Sequence, residues 1–197
     1  MQLEILRSGS FSLPVIDGFF SPGEEERIKN ELRALMTFQP STTEKNPGAY
    51  NRNTGEVLVD SNSFFLDPIY EDRSKSDILT ILRKIFCLDE LPKILQQESI
   101  FFRHIHTCTL DATLLNYYKK GQKYKPHKDD SIFSILYFIT LEDFVGGDLT
   151  FPEFGITVEP KNNRAVIFPG CVIHESTPIQ SGLKCSIAQF LNYRNKE

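Results

Sequence analysis

From Ser99 to Arg194 the apolar residues fall mostly in runs of four to eight, broken by Gly, Pro, Asn or Asp, and no other feature constrains this chain as strongly. Runs of that length, bounded by turn formers, are strands of an antiparallel sheet. The predicted strands are 99–107, 110–118, 132–140, 147–152, 155–159, 164–168, 172–176 and 184–193. That number suits a two-sheet jelly roll or an open barrel. Sixteen Phe and seven Tyr, with no Trp, favour the same sheet-rich core.

The upstream part reads differently. SLPVIDGFF (12–20) alternates like a strand, and SPGEEERIKNELRALM (21–36) is a helix capped by Ser21 with acidic residues in its first turn. Residues 39–55, rich in Pro, Thr, Asn and Gly, form a loop that is either a lid or a plain connection. EVLVDS (56–61) reads as a short strand. SKSDILTILRKIFC (74–87) places Ile78, Leu79, Ile81, Leu82 and Ile85 at helical spacing, and a second short helix follows near 91–97. The fold class is therefore mainly β with flanking helices, a jelly roll supported by N-terminal helices. At 197 residues the chain suits one core, with support over 1–98 and the jelly roll over 99–194, because a boundary near 98 would leave two pieces too small to be stable.

A formal charge of -4 and a pI near 5.6 give no reason to expect nucleic acid as a partner. Cys87, Cys108, Cys171 and Cys185 form no CxxC pair, and the opening MQLEILRSGS lacks a signal peptide's apolar core. No apolar run approaches the roughly 18 residues needed to cross a bilayer. A reduced, cytoplasmic protein without a membrane partner is the expectation; the oligomeric state is not legible.

The chemistry concentrates in YYKKGQKYKPHKDD, where His127 and Asp129 stand two apart and so share one face of an extended strand. A further histidine, His174, lies on a later strand in FPGCVIHESTPI, and a jelly roll can bring such strands together. Two histidines and one carboxylate form the facial set that suits Fe(II) and leaves coordination positions open. Alone this pattern is common. Lys184, ten residues beyond His174 in GLKCSIAQF, adds a cation that would be costly to bury without an anion.

Taken together, Tyr118 and Gly121 in YKKGQKYKPHKD, GGDLTF (146–151), VEPKNNRAVIFPG (158–170), His174 and LKCS (183–186) resemble the catalytic core of the prolyl 4-hydroxylase type of 2-oxoglutarate oxygenases. The opening PVIDGFFSPGEEERI is similar to the strand and helix that begin that family. The resemblance implies Fe(II) held by His127, Asp129 and His174, with 2-oxoglutarate and O2 as cosubstrates and ascorbate as an accessory reductant. It implies that Lys184 meets the distal carboxylate of 2-oxoglutarate, assisted by Tyr118 and Ser186, with Tyr137 as a further residue facing the cosubstrate. The implied reaction yields succinate, CO2 and a hydroxylated prolyl residue in a peptide or protein. A free amino acid or small metabolite is the alternative substrate, and a binding or sensing module on the same fold is the non-catalytic one.

Weaker signals stand beside these. His104 and His106 would share a face of the predicted 99–107 strand as a rival metal site. Lys119, Lys120, Lys123, Lys125 and Lys128 form either a basic rim or a solvated loop, and Gly146 and Gly147 read as a tight turn. Asp129 occupies the position that an iron halogenase leaves to chloride, which favours hydroxylation.

Overall fold

The computed structural model describes residues 1–38, 49–51, 54–59 and 61–193. Its first half comprises β1 (Gln2–Ser8), β2 (Phe11–Asp17), α1 (Pro22–Leu35), β3 (Asn62–Phe65), α2 (Asp77–Leu82) and α3 (Glu90–Glu98). The second half is β4 (Leu110–Tyr118), β5 (Tyr124–His127), β6 (Phe133–Ile139), β7 (Phe144–Gly146), β8 (Leu149–Phe151), β9 (Ile156–Val158), β10 (Arg164–Pro169), β11 (His174–Ser176), β12 (Ile179–Gly182) and β13 (Lys184–Asn192).

A seven-stranded sheet in the order β1-β2-β10-β6-β13-β4-β3 faces a four-stranded sheet, β5-β11-β8-β9, while β12 and β7 pair apart. Every pairing is antiparallel, as a jelly roll requires. The period of two along each strand divides the large sheet between two cores. Ile135, Tyr137, Ile139, Ala165, Ile167 and Ile187 face the helices, where Ile28, Leu32, Ile78 and Leu82 cover them. Phe138, Val166 and Phe168 face the small sheet and meet Leu149, Phe151 and Val158. The N-terminal part is stitched to the rest by β2 pairing with β10 and by Arg164, which donates to both Asp17 oxygens at 2.6 and 2.8 Å.

α1 starts where the sequence places it. Ser21 accepts from the Glu24 amide and Glu24 accepts from the Ser21 amide at 2.8 Å, a reciprocal capping box with Pro22 in the first turn.

Several expectations need correction. Residues 100–107 form a 3-10 helix rather than a strand. The Ser99 side chain accepts from the Phe101 amide, and the buried residues of this segment, Phe102 and Ile105, stand three apart, a 3-10 repeat and not a strand repeat. The 74–87 helix is shorter, with α2 giving way to 3-10 turns over 83–87. In place of a strand over 56–61 there are isolated bridges, Tyr50 to Val57 and Val59 to Tyr124, with Asp60 outside the described residues. Most of the 39–55 loop, namely 39–48 and 52–53, also lies outside them. β1, β3, β7 and β12 are strands that the apolar runs do not predict. Among the described residues no helix is long and apolar enough to cross a membrane.

Candidate active site

His127 ends β5 and His174 begins β11, and the antiparallel pairing sets them directly opposite each other. Asp129 follows two residues past His127, its amide anchored to the Gly170 carbonyl at 2.8 Å. Asp129 Oδ1 lies 3.7 Å from His127 Nε2 and Oδ2 lies 3.6 Å from His174 Nε2. One ligand atom from each of the three residues lies within 4.8 Å of the others, the spread that a single ion can draw together.

The tautomers follow from the neighbours. His127 Nδ1 is 2.8 Å from the Lys125 carbonyl and His174 Nδ1 is 3.0 Å from that of Val172. A carbonyl only accepts, so each Nδ1 carries a proton and each Nε2 is the ring atom left to meet an ion at the shared centre. Burial, reinforced by His174, holds His127 neutral, its pKa lowered to about 3. Burial pushes the Asp129 carboxyl above its ordinary range, against the pull of His174 and of the Ser134 hydroxyl, which donates to Oδ2 at 2.5 Å. Two imidazoles and a carboxylate stabilised by so little of the protein fit a divalent cation, and this donor set fits Fe(II). Tyr124 stacks on His127 with ring centroids 3.6 Å apart, and Phe168 packs against His174.

The ligands open into a cavity of about 840 Å³ between the two sheets. Lys184, at 2 % exposure, reaches it from β13. Its Nζ donates to the Gly147 carbonyl and to Ser176 Oγ at 2.8 Å, and it lies 5.3 Å from the ring centres of both Tyr118 and Phe138. Among the described residues no carboxylate forms an ion pair with it, so burial lowers its pKa to about 7 despite Asp148 nearby. A buried cation that lacks a protein anion and lines a cavity is suited to an anionic ligand.

Tyr118 and Ser186 line the same cavity, joined by a side-chain hydrogen bond. Tyr137 does not. It sits one residue out of phase with the cavity-lining Leu136 and Phe138, turns to the helices against Phe19 and Phe20, and donates its hydroxyl to Gln189 at 2.9 Å. The expectation that it faces the cosubstrate is withdrawn on this ground.

The rival histidines part as well. On a 3-10 helix residues two apart diverge, and His104 Nδ1 meets the Tyr193 hydroxyl at 2.9 Å. Of the lysine rim, Lys125 pairs with Glu56 at 2.7 Å, while Lys119, Lys120, Lys123 and Lys128 are exposed. Gly147 has φ +75°, and a Cβ there would lie 2.8 Å from Lys184 Cδ, so glycine serves both the turn and the lysine.

Sequence reasoning missed Ser134, Ser176 and Gly170. A Cβ on Gly170 would meet the Ser131 carbonyl at 2.3 Å, so the chain next to Asp129 closes only around glycine. Ser176 shares the strand face of His174 at i, i+2 and could have been found by that spacing. Ser134 meets Asp129 through the bend between β5 and β6 and left no local signal.

Residues 112–192 match the model of the 2OG-Fe(II) oxygenase superfamily, a span that holds the three clustered residues and Lys184. That stretch is similar to the 2OG-Fe(II) oxygenase domain, a class whose enzymes use Fe(II), 2-oxoglutarate and O2. Among solved structures its fold is similar to prolyl hydroxylases. One is a Pseudomonas putida prolyl-4-hydroxylase (TM-score 0.63, 17% identity, 93% of each chain covered). Another is the viral collagen prolyl hydroxylase of Paramecium bursaria Chlorella virus-1, solved with 2-oxoglutarate (0.57, 17%, 92% of this chain and 96% of that one). A third is the Trichoplax adhaerens prolyl hydroxylase bound to a hypoxia inducible factor peptide fragment (0.58, 13%, 91% and 83%). No curated protein sequence matches the chain.

Proposed function

We propose that this protein hydroxylates prolyl residues of a peptide or protein, with residues 1–197 acting as one oxygenase domain whose N-terminal part, about 1–98, buttresses the catalytic sheets. His127, Asp129 and His174 hold the iron, and Lys184, with Tyr118 and Ser186, receives the distal carboxylate of 2-oxoglutarate. The observation that carries this reading is that the His-Asp-His cluster and the anion-free buried lysine open into one cavity.

Iron bound there supplies the oxygen chemistry of the class, in which 2-oxoglutarate becomes succinate and CO2 while a substrate C–H bond is hydroxylated. The chain's own residues set the geometry. The two Nδ1–carbonyl bonds and the Ser134–Asp129 bond hold the ligand atoms convergent. Lys184, kept straight by Gly147 and Ser176, gives the cosubstrate one fixed charge. Leu136, Phe138 and Leu149 give the cavity an apolar floor, backed by Phe168, that keeps water from the reacting end.

A peptide is favoured over a small metabolite because Tyr50, Asn51 and Leu58, from a segment outside the jelly roll, line the cavity, and Tyr50 is 58% exposed. Such a border suits a chain lying across the opening. The test is anaerobic titration with Fe(II) and 2-oxoglutarate, followed by the visible band of the chelate, with His174→Ala as control. Proline-containing peptides are then assayed for a 16 Da gain coupled to succinate. A band independent of His174 would refute the ligand set, and a band without any peptide product would turn the search to free amino acids.

A further inference from the structure

The inner face of the large sheet changes character in steps. Cross-strand register pairs Tyr118 with Lys184, then Asn116 with Ser186, and next Leu114 with Ala188. On the outer side of β4, Ser63 pairs with Asn116 and Phe65 with Leu114. Because these positions are two apart on each strand, they all belong to one face. The cavity wall therefore runs from a cationic row to a polar row and then to an apolar one.

Asn116 is 3 % exposed and lines the cavity. Its Oδ1 accepts from Ser63 Oγ at 2.6 Å, which fixes the plane of the amide. Nδ2 is left with two hydrogens, and among the described residues nothing accepts from it. Nδ2 is not sealed from the cavity, so a donor held in a fixed plane stands available there to a ligand acceptor.

Lys184 shows what that acceptor is. Two of its three ammonium protons are engaged by the Gly147 carbonyl and Ser176, which leaves one for a carboxylate that offers about four acceptor sites. The Tyr118 hydroxyl can supply a second donor, and others stand in the neighbouring row, about 7 Å along the strand from Tyr118. Beyond that row Leu114, Ala188, Leu136 and Phe65 have nothing to donate.

We infer that Asn116 is a cosubstrate-positioning residue, its side-chain amide donating to the distal carboxylate of 2-oxoglutarate beside Lys184. This rests on the cosubstrate reading proposed above and adds a further anchor to Lys184, Tyr118 and Ser186. Asn116 and Lys184 make the pocket select a dicarboxylate, since a 2-oxo acid lacking the distal carboxylate gains nothing from either residue.

The test is calorimetric binding of 2-oxoglutarate and of 2-oxobutyrate to the Mn(II)-loaded protein, for wild type, Asn116→Ala, Asn116→Asp and Lys184→Ala, with thermal melting to verify folding. Asn116→Ala is expected to weaken 2-oxoglutarate about tenfold to a hundredfold while leaving 2-oxobutyrate unchanged. Asn116→Asp keeps the shape and the Ser63 contact but turns an acceptor on the anion, and it should weaken 2-oxoglutarate further. If Asn116→Ala does not fold, the Asp variant decides by the same comparison. Wild-type affinity in a folded Asn116 variant, with Lys184→Ala impaired, would overturn this inference and leave the cosubstrate reading standing. Equal loss for both oxo acids would overturn it as well, by assigning Asn116 to the wall alone. No binding by wild type, or none lost in Lys184→Ala, would overturn both.

Discussion

Lys184→Met should make the protein more stable and deprive it of its cosubstrate in a single step. The lysine is 2 % exposed and its pKa falls from the ordinary 10.5 to about 7, because burial disfavours the charge. Each pKa unit corresponds to about 1.4 kcal/mol, so near neutral pH the buried amine destabilises the fold by about 4 to 5 kcal/mol relative to an unperturbed lysine. Against this stand two hydrogen bonds, to the Gly147 carbonyl and Ser176 Oγ, whose loss costs about 1 to 3 kcal/mol together. Methionine fills the space of the lysine stem, so cavity formation adds little. The net expectation is a gain of about 1 to 4 kcal/mol, or roughly 2 to 16 °C in melting temperature for a chain of this size.

The pH dependence has a definite sign. The folded pKa lies below the unfolded one, so between about pH 7 and 10.5 the unfolded chain binds the extra proton. Wild-type stability should therefore rise with pH through this window relative to Lys184→Met, with the penalty fully present below about pH 7. Chemical denaturation of both proteins at pH 6.5, 8 and 9.5, with and without 2-oxoglutarate, measures this directly. Added 2-oxoglutarate should stabilise wild type and not the variant. A variant less stable than wild type at pH 6.5, or a gap that does not narrow with pH, would refute the account of Lys184 as a buried cation awaiting an anion.

Other outcomes follow from the same geometry. Asp129→Ala should abolish hydroxylation and the melting shift produced by Mn(II), since only two imidazoles remain on the ion, and calorimetric metal titration checks it. Ser134→Ala should lower metal affinity about tenfold to a hundredfold, because its hydroxyl holds Asp129 Oδ2 and such supporting bonds have effects of that size. Ser134→Thr, which keeps the hydroxyl, should recover much of it. Gly147→Ala should destabilise by at least about 1 to 2 kcal/mol from φ +75° alone and should raise the 2-oxoglutarate requirement as its Cβ displaces Lys184, read by melting and by steady-state kinetics.

The sequence determined what depends on local period. β4, β10 and β13 match the strands predicted over 110–118, 164–168 and 184–193, because short branched and aromatic runs between turn formers have few other ways to bury themselves. The i, i+2 spacing of His127 and Asp129 and the isolated Lys184 were likewise legible, since each is one residue's chemistry at one strand position. Where two periods compete in a short run, tertiary packing decided. FFRHIHT could alternate as a strand, yet Phe102 and Ile105 are the residues that find the core, and so it became a 3-10 helix. Tyr137 followed the same logic in a true strand, because a period of two shows that neighbours separate without showing which face holds the cavity. The rest are contacts between residues distant in sequence. His127 meets His174 across two strands, Ser63 fixes Asn116 from 53 residues away, and Gly147 cradles Lys184 from another hairpin. No local pattern encodes them, because they exist only once the antiparallel register has brought those strands side by side.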